Sequence, residues 1–244
     1  MVKKKSSETK KIEVKKLQMN TVIVQVRGIT PLVVHAWTNK AIGEMIAKQM
    51  HLDLFEQKAA KDPQQDYEQS LYKYVDEKGT EHWGFPATGF KAAMYTANSD
   101  LKKAKLSKLD GTTFRRACFI LADGTEQRRI VIRLKDPDAT ETTPKAKAYI
   151  EQTFTQATDL IEVVGDPRMR MDMVRIGMQK TPDVRFRPEF VEWSATLRIE
   201  YNTDVLTEEI IGNLLYRAGL TVGIGEGRAD LGWGRFEIVA GGGK

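Results

Sequence analysis

Residues 219–238 read Gly219-Leu-Thr-Val-Gly-Ile-Gly-Glu-Gly-Arg-Ala-Asp-Leu-Gly-Trp-Gly-Arg-Phe-Glu-Ile238, with six glycines around Arg228, Trp233 and Arg235. Glycines at this density let a backbone approach a ligand closely, and the cations and the aromatic ring between them suit a phosphate chain with bases. The same glycines also suit a hairpin that needs positive φ at several positions. The glycines alone leave a ligand loop and a hairpin equally open.

Two familiar glycine motifs are excluded by order and spacing. Arg228 follows Gly223, Gly225 and Gly227 at the place where a dinucleotide fingerprint needs its last glycine, and no Lys-Ser/Thr pair ends the run as in a P-loop. A predicted helix precedes this loop and a predicted strand, 235–239, follows it, which reverses the order that both motifs need. The loop is therefore neither a Rossmann site nor a Walker site.

The segment before the loop predicts a strand and then a helix. Residues 190–201 alternate apolar and polar side chains, which is typical of a strand with one core face and one solvent face. Thr207 is placed to cap a helix that carries Glu208 and Glu209 in its first turn and ends at Gly219. The glycine loop then leads into the last strand.

The rest of the chain adds elements to this unit. The first half of the chain predicts a strand at 21–27 that continues at 32–37, a helical segment at 40–61, a short helix at 66–75, and a helix capped by Thr88 that runs to 98. The next part predicts a hairpin of strands 113–121 and 128–134, a segment at 146–161 that suits helix or strand, and a basic loop at about 165–190. This order predicts an α+β, ferredoxin-like (RRM-like) fold with a helical insertion at about 38–80. We expect one domain over 18–240, after a basic mobile tail at 1–17.

The positive charge of the chain is unevenly placed. The net charge is +5, and residues 1–17 alone hold seven lysines against two glutamates, so the remainder is formally neutral. Such a tail is typical of a solvated solubility segment, or of an arm that adds salt-sensitive phosphate affinity. Beyond it, cations exceed acids at 102–135 and at 166–187. A specific site for a polyanion must come from these two clusters.

Composition argues against several functional classes. No run of about 18 apolar residues is present to span a membrane, and the basic amino terminus lacks the apolar region of a signal peptide, so we expect a cytoplasmic protein without a membrane partner. Cys118 lies in an apolar run and is expected to be a buried structural thiol. His35, His51 and His82 have no metal-ligand spacing with one another or with Cys118. We therefore expect no metal and no cofactor.

Three segments, in this order, resemble the RAMP superfamily of CRISPR-associated proteins, particularly the backbone subunits that polymerise along guide RNA. The first is the opening strand and its turn, 22–37. The second, Pro86-Ala-Thr-Gly-Phe-Lys-Ala-Ala-Met94, is similar to the family's Pro-x-Ser/Thr-x-hydrophobic-Lys-Gly helix start. The third, 218–237, resembles its carboxy-terminal glycine element before the last strand. Together the three segments span most of the chain.

The resemblance implies a RAMP core and a single-stranded nucleic acid as the ligand. A helix N-terminus presents unpaired N–H groups to a phosphate, so Thr88 and Lys91 would be backbone contacts, although a plain capped helix with Lys91 in solvent is the alternative. The glycine loop would assign Arg228 and Arg235 to phosphates. Trp233 would either stack on a base or pack on the sheet.

The resemblance also implies a thumb, a protruding element that inserts between adjacent subunits and splays bases out of the guide. The basic loop at about 165–190 is the candidate, because it mixes cations for phosphates with apolar side chains that could wedge between bases. The wedge candidates are Met169, Met171, Met173 and Phe186. The alternative is that the three methionines form one face of a strand packed on the core, while the arginines form surface ion pairs.

The candidate nucleic-acid contacts combine these segments with the basic clusters. They are His35, Trp37, Thr88, Lys91, Arg115, Arg116, Arg128, Arg129, Arg168, Arg170, Arg175, Lys180, Arg185, Arg187, Arg228, Trp233 and Arg235. Some backbone subunits of the family cut their target with an Asp in a loop after the first strand. Here that region is the helical segment 40–61, where Asp53 and Asp62 match no motif, so we assign no catalytic residue.

The predicted function is a non-catalytic, RNA-binding subunit of a CRISPR-type antiviral effector complex. Its partners would be guide RNA, further copies of itself in a helical filament, and other effector subunits. The first alternative is a phage or mobile-element protein that binds or anneals single-stranded DNA as an oligomer, because RNA and DNA differ at a 2′-OH whose contact depends on geometry. A weaker alternative is a RAMP-type endoribonuclease that uses His35, although a histidine at a strand end is more often structural.

Overall fold

The computed structural model describes residues 14, 16–55, 61–176 and 181–239, so most of the predicted tail at 1–17 lies outside the described residues. The described strands and α-helices, in chain order, are β1 (Met19–Gly28), β2 (Leu32–Val33), α1 (Asn39–Met50), α2 (Pro63–Ser70), β3 (Tyr72–Val75), β4 (Glu81–Pro86), α3 (Ala87–Lys103), α4 (Gly111–Ala117), β5 (Cys118–Leu121), β6 (Gly124–Lys135), β7 (Tyr149–Glu162), β8 (Pro167–Ile176), β9 (Thr181–Phe190), β10 (Ser194–Asn202), α5 (Glu208–Arg217) and β11 (Phe236–Ile238). The fold is mixed α/β, with three antiparallel sheets.

The first sheet has the strand order β11-β1-β10-β5, and every pair in it is antiparallel. The chain runs from β1 through α3 to β5, and from β10 through α5 to β11. Strand β10 lies between β1 and β5, and β1 lies between β10 and β11, so each strand–helix–strand unit encloses a strand of the other. Helices α3 and α5 contact each other and pack on this sheet. The buried side chains of the helices and the sheet include Phe90, Met94, Leu197, Leu215 and Phe236. This layer is the main hydrophobic core.

The second sheet, β3-β4-β7-β6, curls. Its two edge strands approach each other, and a Cβ on Gly124 of β6 would lie 2.0 Å from the ring of Tyr74 on β3. Helix α1 covers part of its inner face, where Ala47 packs with Ile130, Ile132 and Leu134. The sheet therefore forms a second, smaller core beside the first.

The expected hairpin of strands 113–121 and 128–134 is wrong. Asp110 accepts hydrogen bonds from the backbone N–H groups of Thr112 and Thr113 and begins helix α4 there. Strand β5 then pairs with β10 in the first sheet, whereas β6 pairs along its whole length with β7 in the second. The segment at 146–161, open to helix or strand from its sequence, is thus mostly strand.

Two helix predictions in the 38–80 region have different bounds in the structure. Helix α1 ends at Met50 because His51 takes a left-handed conformation, with φ of 57°. Leu54 then forms a bridge with Leu134 on the edge of β6. Helix α2 starts at Pro63, after an Asp62 cap, and the expected helix at 66–75 turns into β3 at Tyr72.

The ends of the two core helices also test the sequence predictions. Thr207 caps α5 as predicted, since its hydroxyl accepts the N–H of Ile210. Helix α5 does not stop at Gly219, because a π-helical turn, Ala218–Val222, carries the chain on to Gly223. Thr88 is not a cap, because the chain passes directly from β4 into α3 and Pro86 occupies the capping position without a side-chain bond.

The third sheet replaces the predicted basic loop at 165–190. Strands β8 and β9 form a long antiparallel hairpin, and β9 pairs with β2 on its other side. Methionines and charged residues alternate along β8, and that period of two is a strand signal. Among the described residues, no helix is both long enough and apolar enough to cross a membrane.

Candidate nucleic-acid interface

The turn after β1 and the glycine loop bind each other through their backbones. The N–H of Glu226 donates to the carbonyl of Val33 at 2.9 Å, and the N–H of Gly234 donates to the carbonyl of Pro31 at 2.7 Å. The Thr30 hydroxyl donates to the carbonyl of Gly232 at 2.9 Å. The opening turn and the glycine loop, almost the whole chain apart in sequence, are therefore one structural unit.

The glycines let this loop fold back on itself. Five of them, between 223 and 234, have positive φ. A Cβ on Gly234 would lie 1.8 Å from the carbonyl oxygen of Ile224, whose own N–H donates to the Gly234 carbonyl. The loop is thus a compact backbone turn packed on residues 31–33, and it is not a hairpin.

The two predicted phosphate contacts of this loop differ in their surroundings. Arg228 is exposed. Arg235 is half-buried, and its Nε donates to the carbonyl of Leu220, within the π-helical turn, at 2.8 Å. Arg228 is therefore available to a ligand, whereas Arg235 mainly supports the loop.

One face of the β8–β9 hairpin carries a network of ion pairs. Arg168 and Arg170 both donate to Glu189, and Arg170 also donates to Asp172 at 2.8 Å. Arg187 is 5% exposed and donates to Asp172 at 2.9 Å. Arg170 and Arg187, expected at phosphates, are thus occupied by carboxylates within the protein, whereas the side chain of Arg168 is 67% exposed beside its pair with Glu189.

The same face joins the hairpin to the glycine loop. Arg187 donates to Glu226 at 3.3 Å, and the guanidinium of Arg170 lies 4.1 Å from the centre of the Trp233 ring. Trp233 also packs tightly on Gly227. Packing, rather than an open stacking platform, is therefore the observed environment of Trp233.

The opposite face of the hairpin presents methionines to solvent. The exposed fraction rises from 40% at Met169 to 62% at Met171 and 82% at Met173. Phe186 lies directly across from Met171 and is half-buried. The alternative interpretation of the segment 165–190, a strand with paired arginines, is thus confirmed for the ion pairs. It is wrong for the methionines, which do not pack on the core.

A cleft of about 410 Å³ lies between the hairpin and the segment after β2. Five candidate residues line it: His35, Trp37, Arg185, Phe186 and Arg187. Burial lowers the pKa of His35, so its imidazole is neutral near pH 7. Trp37 is 56% exposed, and Arg185 pairs with Asp183 at 3.5 Å.

The start of α3 packs against the residue that follows the glycine loop. The ring centres of Phe90 and Phe236 are 6.0 Å apart, so the segment 86–94 contacts the segment 218–237. Thr88 is exposed in the first turn of α3. The Lys91 ammonium donates to the carbonyl of Arg115 at 2.8 Å and lies 4.7 Å from the centre of the Phe119 ring.

The remaining candidates divide into accessible and internal residues. Arg116, Arg129 and Arg175 are exposed, and Arg115 is also exposed while its guanidinium stacks on Tyr95 at 3.8 Å. Lys180 lies outside the described residues.

The Arg128 side chain, a candidate nucleic-acid contact, is 16% exposed and bonded within the protein. Its guanidinium donates to the carbonyls of Trp37, Gln69 and Leu71 and to the carboxylate of Glu126. Its donors are thereby used to join β6 to the segments around α2.

Sequence reasoning missed the acidic members of this surface. Asp172, Glu189 and Glu226 hold the hairpin arginines in place, and Glu189 is itself 3% exposed. The available signal was the alternation of Arg168, Arg170 and Asp172 with the methionines, which places charged side chains on one face of a strand.

Metal binding and thiol chemistry are two further possibilities for the described residues. Within the described ranges, no group of three or more His, Cys, Asp and Glu side chains is arranged to hold a metal ion. Burial raises the pKa of the Cys118 thiol to about 11, so this group remains protonated at neutral pH.

Comparison with known proteins finds no matching family model and no matching curated protein. Among solved structures, the chain is similar to Cmr6 from Pyrococcus furiosus, with a TM-score of 0.40 and 11% identity over 92% of this chain and 100% of that one. It is also similar to a chain of the Type III-B Cmr-beta bound to cognate target RNA, with a TM-score of 0.38 and 14% identity over 91% of this chain and 59% of that one. Because both TM-scores lie below 0.5, the functional proposal rests on the residues of this chain.

Proposed function

We propose that this protein is a non-catalytic subunit that binds single-stranded RNA within a CRISPR-type effector complex. One observation carries the proposal: three segments that resemble RAMP motifs, distant in sequence, pack against one another. The turn after β1 is bonded to the glycine loop, and Phe90 at the start of α3 contacts Phe236 just after that loop. Both rings are fully buried, so this contact fixes the segments relative to one another, and a common ligand would meet their exposed side chains.

The topology of the first sheet supports a ferredoxin-like RAMP core. The succession β1, α3, β5, β10, α5, β11 is the β-α-β-β-α-β order of that fold. Both helices lie on one face of a fully antiparallel sheet. The second sheet and the β8–β9 hairpin would then be additions to this core.

The exposed cations are the proposed phosphate contacts. Arg228 projects from the glycine loop, whose position beside the hairpin is held by Arg170, Arg187 and Glu226. Arg175 is exposed on β8 near the end of the hairpin, beside the exposed Met173. The paired arginines would position the surface, while the exposed ones meet the RNA backbone.

The methionine face of the hairpin is the proposed base wedge. Unbranched, polarizable methionines fit irregular gaps, and apolar side chains that insert between bases unstack them. Their exposure increases along β8 from Met169 to Met173. This arrangement suits a hairpin that enters a strand of RNA, with further copies of the chain and other effector subunits bound along the same guide.

The test is a binding measurement with nuclease-treated, full-length protein. We would titrate a labelled single-stranded RNA of about 40 nucleotides, the same sequence as DNA, and a duplex, and follow fluorescence anisotropy at several salt concentrations. We expect sequence-independent RNA binding that weakens steeply with salt. In Arg175→Ala/Arg228→Ala, we expect the slope of log K against log salt to decrease by about 1.4, from two lost phosphate contacts.

The matched control is Lys145→Ala/Lys147→Ala, which removes two exposed lysines from the connection between β6 and β7. Its salt slope should equal that of the wild type. Equal loss in both double variants would refute the assignment of Arg175 and Arg228. Tighter binding of DNA than of RNA would support the single-stranded-DNA alternative, and cleavage of the RNA probe would overturn the non-catalytic assignment.

A further inference from the structure

Strand β7 has an open edge over most of its length. Strand β4 pairs with β7 only at residues 160–162, while β6 pairs with the other edge from end to end. From Thr153 to Ala157 every residue is exposed. An edge of this length presents a row of backbone donors and acceptors that another strand can use.

The register shows which backbone groups face outward. The N–H of Lys135 donates to Asp53, and the carbonyl of Arg133 accepts from Phe55, so odd-numbered residues of β6 turn their backbones away from β7. In an antiparallel pair, residues directly opposite turn the same way, either towards each other or apart. The β7 partners of the odd-numbered β6 residues therefore face away from β6 as well. These are Glu151, Thr153, Thr155 and Ala157.

Within the part of the chain that the structure describes, the backbones of these four residues have no partner. Among the described residues, no hydrogen bond reaches their N–H or C=O groups. The open stretch, Ile150-Glu-Gln-Thr-Phe-Thr-Gln-Ala-Thr158, contains no Pro and no Lys, the residues that natural edge strands use to block pairing. Two apolar side chains, Ile150 and Phe154, are 38% and 40% exposed along it.

The sequence of this edge matches itself when reversed. Gln152-Thr-Phe-Thr-Gln156 reads the same in both directions about Phe154. If two copies of β7 meet antiparallel with Phe154 on the two-fold axis, Thr153 of one copy faces Thr155 of the other, and Gln152 faces Gln156. Odd-numbered residues then face odd-numbered residues, so outward-facing backbone groups meet outward-facing groups. The arrangement forms about eight hydrogen bonds from the four outward-facing residues of each copy.

Charge and side-chain pairing favour the same register. Glu151 faces Ala157 of the other copy, and Asp159 faces Tyr149, so no like charges are opposed. The two Phe154 rings meet at the axis in a non-hydrogen-bonded pair, where side chains approach most closely. Thr–Thr and aromatic pairs across strands are both favourable.

We propose that the open edge of β7 is a two-fold interface with a second copy of this chain, which joins two curled sheets into one continuous sheet. The interface is isologous and closes after two copies, so it is distinct from any filament along RNA. It does not depend on the proposed RNA binding, and it predicts a dimer of the protein alone.

The test is the molar mass of nuclease-treated, full-length protein by light scattering after size exclusion, over a range of concentrations. We expect a concentration-dependent change from the 27.6 kDa monomer to a species of about 55 kDa. In the variant Thr153→Lys/Thr155→Lys, each new lysine of one copy faces a new lysine of the other copy. The two like-charged pairs should weaken dimerisation at least tenfold. The control Gln127→Lys/Val131→Lys adds the same charge to exposed positions of β6 and should dimerise like the wild type.

Cysteine cross-linking tests the register itself. Phe154→Cys should form a disulfide with itself on oxidation, because the two positions meet at the axis. Ile150→Cys alone should not cross-link, whereas Ile150→Cys/Thr158→Cys should, because residue 150 of one copy faces residue 158 of the other. Wild-type protein, whose one cysteine is buried, is the background control.

A monomer at every concentration would overturn the proposal, and so would a dimer that is insensitive to Thr153→Lys/Thr155→Lys. Cross-linking of Ile150→Cys alone would overturn the proposed register. Capture of a different protein that the double-lysine variant no longer binds, with the purified chain remaining monomeric, would assign the edge to a foreign strand and also refute the second copy as its occupant.

Discussion

The glycine loop and the β8–β9 hairpin lie side by side but are held in place by different chemistry. The loop is fixed through its backbone, by positive-φ glycines and by hydrogen bonds to residues 31–33, so the side chain of Arg228 remains accessible. The hairpin is fixed to the loop through side chains, by the ion pairs of Arg170 and Arg187. Because Arg170 and Arg187 hold the hairpin in place, they are not available to a ligand. The exposed residues Met171, Met173 and Arg175 of the hairpin lie on its opposite face.

The largest effect is expected from breaking the backbone support of the loop. Gly234→Ala should lower the free energy of unfolding by about 4 kcal/mol, because the added Cβ would meet the Ile224 carbonyl and because φ is +66°. Urea denaturation measures this change. Gly212→Ala is the control, since nothing lies within 4 Å of its Cβ position in α5, and it should stabilise the protein by about 0.5–1 kcal/mol. Equal stability of Gly234→Ala and wild type would show that the loop is not held in this way.

A somewhat smaller effect is expected from breaking the side-chain support of the hairpin. Arg187→Ala removes the ion pair of Glu226 and leaves Asp172 paired with Arg170 alone, and it should cost about 3 kcal/mol in the same assay, because the lost guanidinium is buried. Lys73→Ala breaks the exposed Lys73–Glu81 pair and should cost less than about 0.5 kcal/mol. Similar losses in the two variants would contradict a structural role for the buried network.

The smallest effect on stability, and a specific effect on binding, is expected on the methionine face. Met171→Ser/Met173→Ser should leave the urea midpoint within error of wild type and weaken RNA binding about tenfold, because the apolar wedge between bases is lost. The fluorescence of 2-aminopurine placed in the RNA reports base unstacking directly, and the increase on binding should disappear. Met45→Ser/Met50→Ser changes two methionines of α1 that are 42% and 41% exposed, and it should retain the signal. A lost signal in both variants would remove the hairpin from the proposed interface.

Several elements of the fold were predictable from local patterns. The alternation in 190–201 marked the core strand β10, and Thr207 with two following glutamates marked the start of α5. The hairpin at 167–190 was predicted as a loop, with a strand considered only as the alternative, although β8 has a clear period of two. That alternative placed the methionines on the core, whereas in the structure they face solvent.

The strand partners were not predictable in the same way. A turn signal at 122–125 suggested that the strands beside it pair with each other, yet β5 joins β10 and β6 joins β7. Neighbouring strands often pair, but the burial of Cys118 and Phe114 under the first sheet, and of Ile130 and Leu134 under α1, favours two separate sheets.

The sequence by itself determined where glycines permit a tight loop, that Thr207 caps α5, and where the cations are concentrated, because these properties depend on residues close together in the chain. The tertiary structure alone decided which cations remain accessible. Arg128 and Arg187 are surrounded by carbonyls and carboxylates from distant segments, whereas Arg175 and Arg228 are exposed to solvent. The reason is physical: a charged side chain becomes structural only when folding brings its partners within hydrogen-bond distance, and those partners come from elements far apart in sequence.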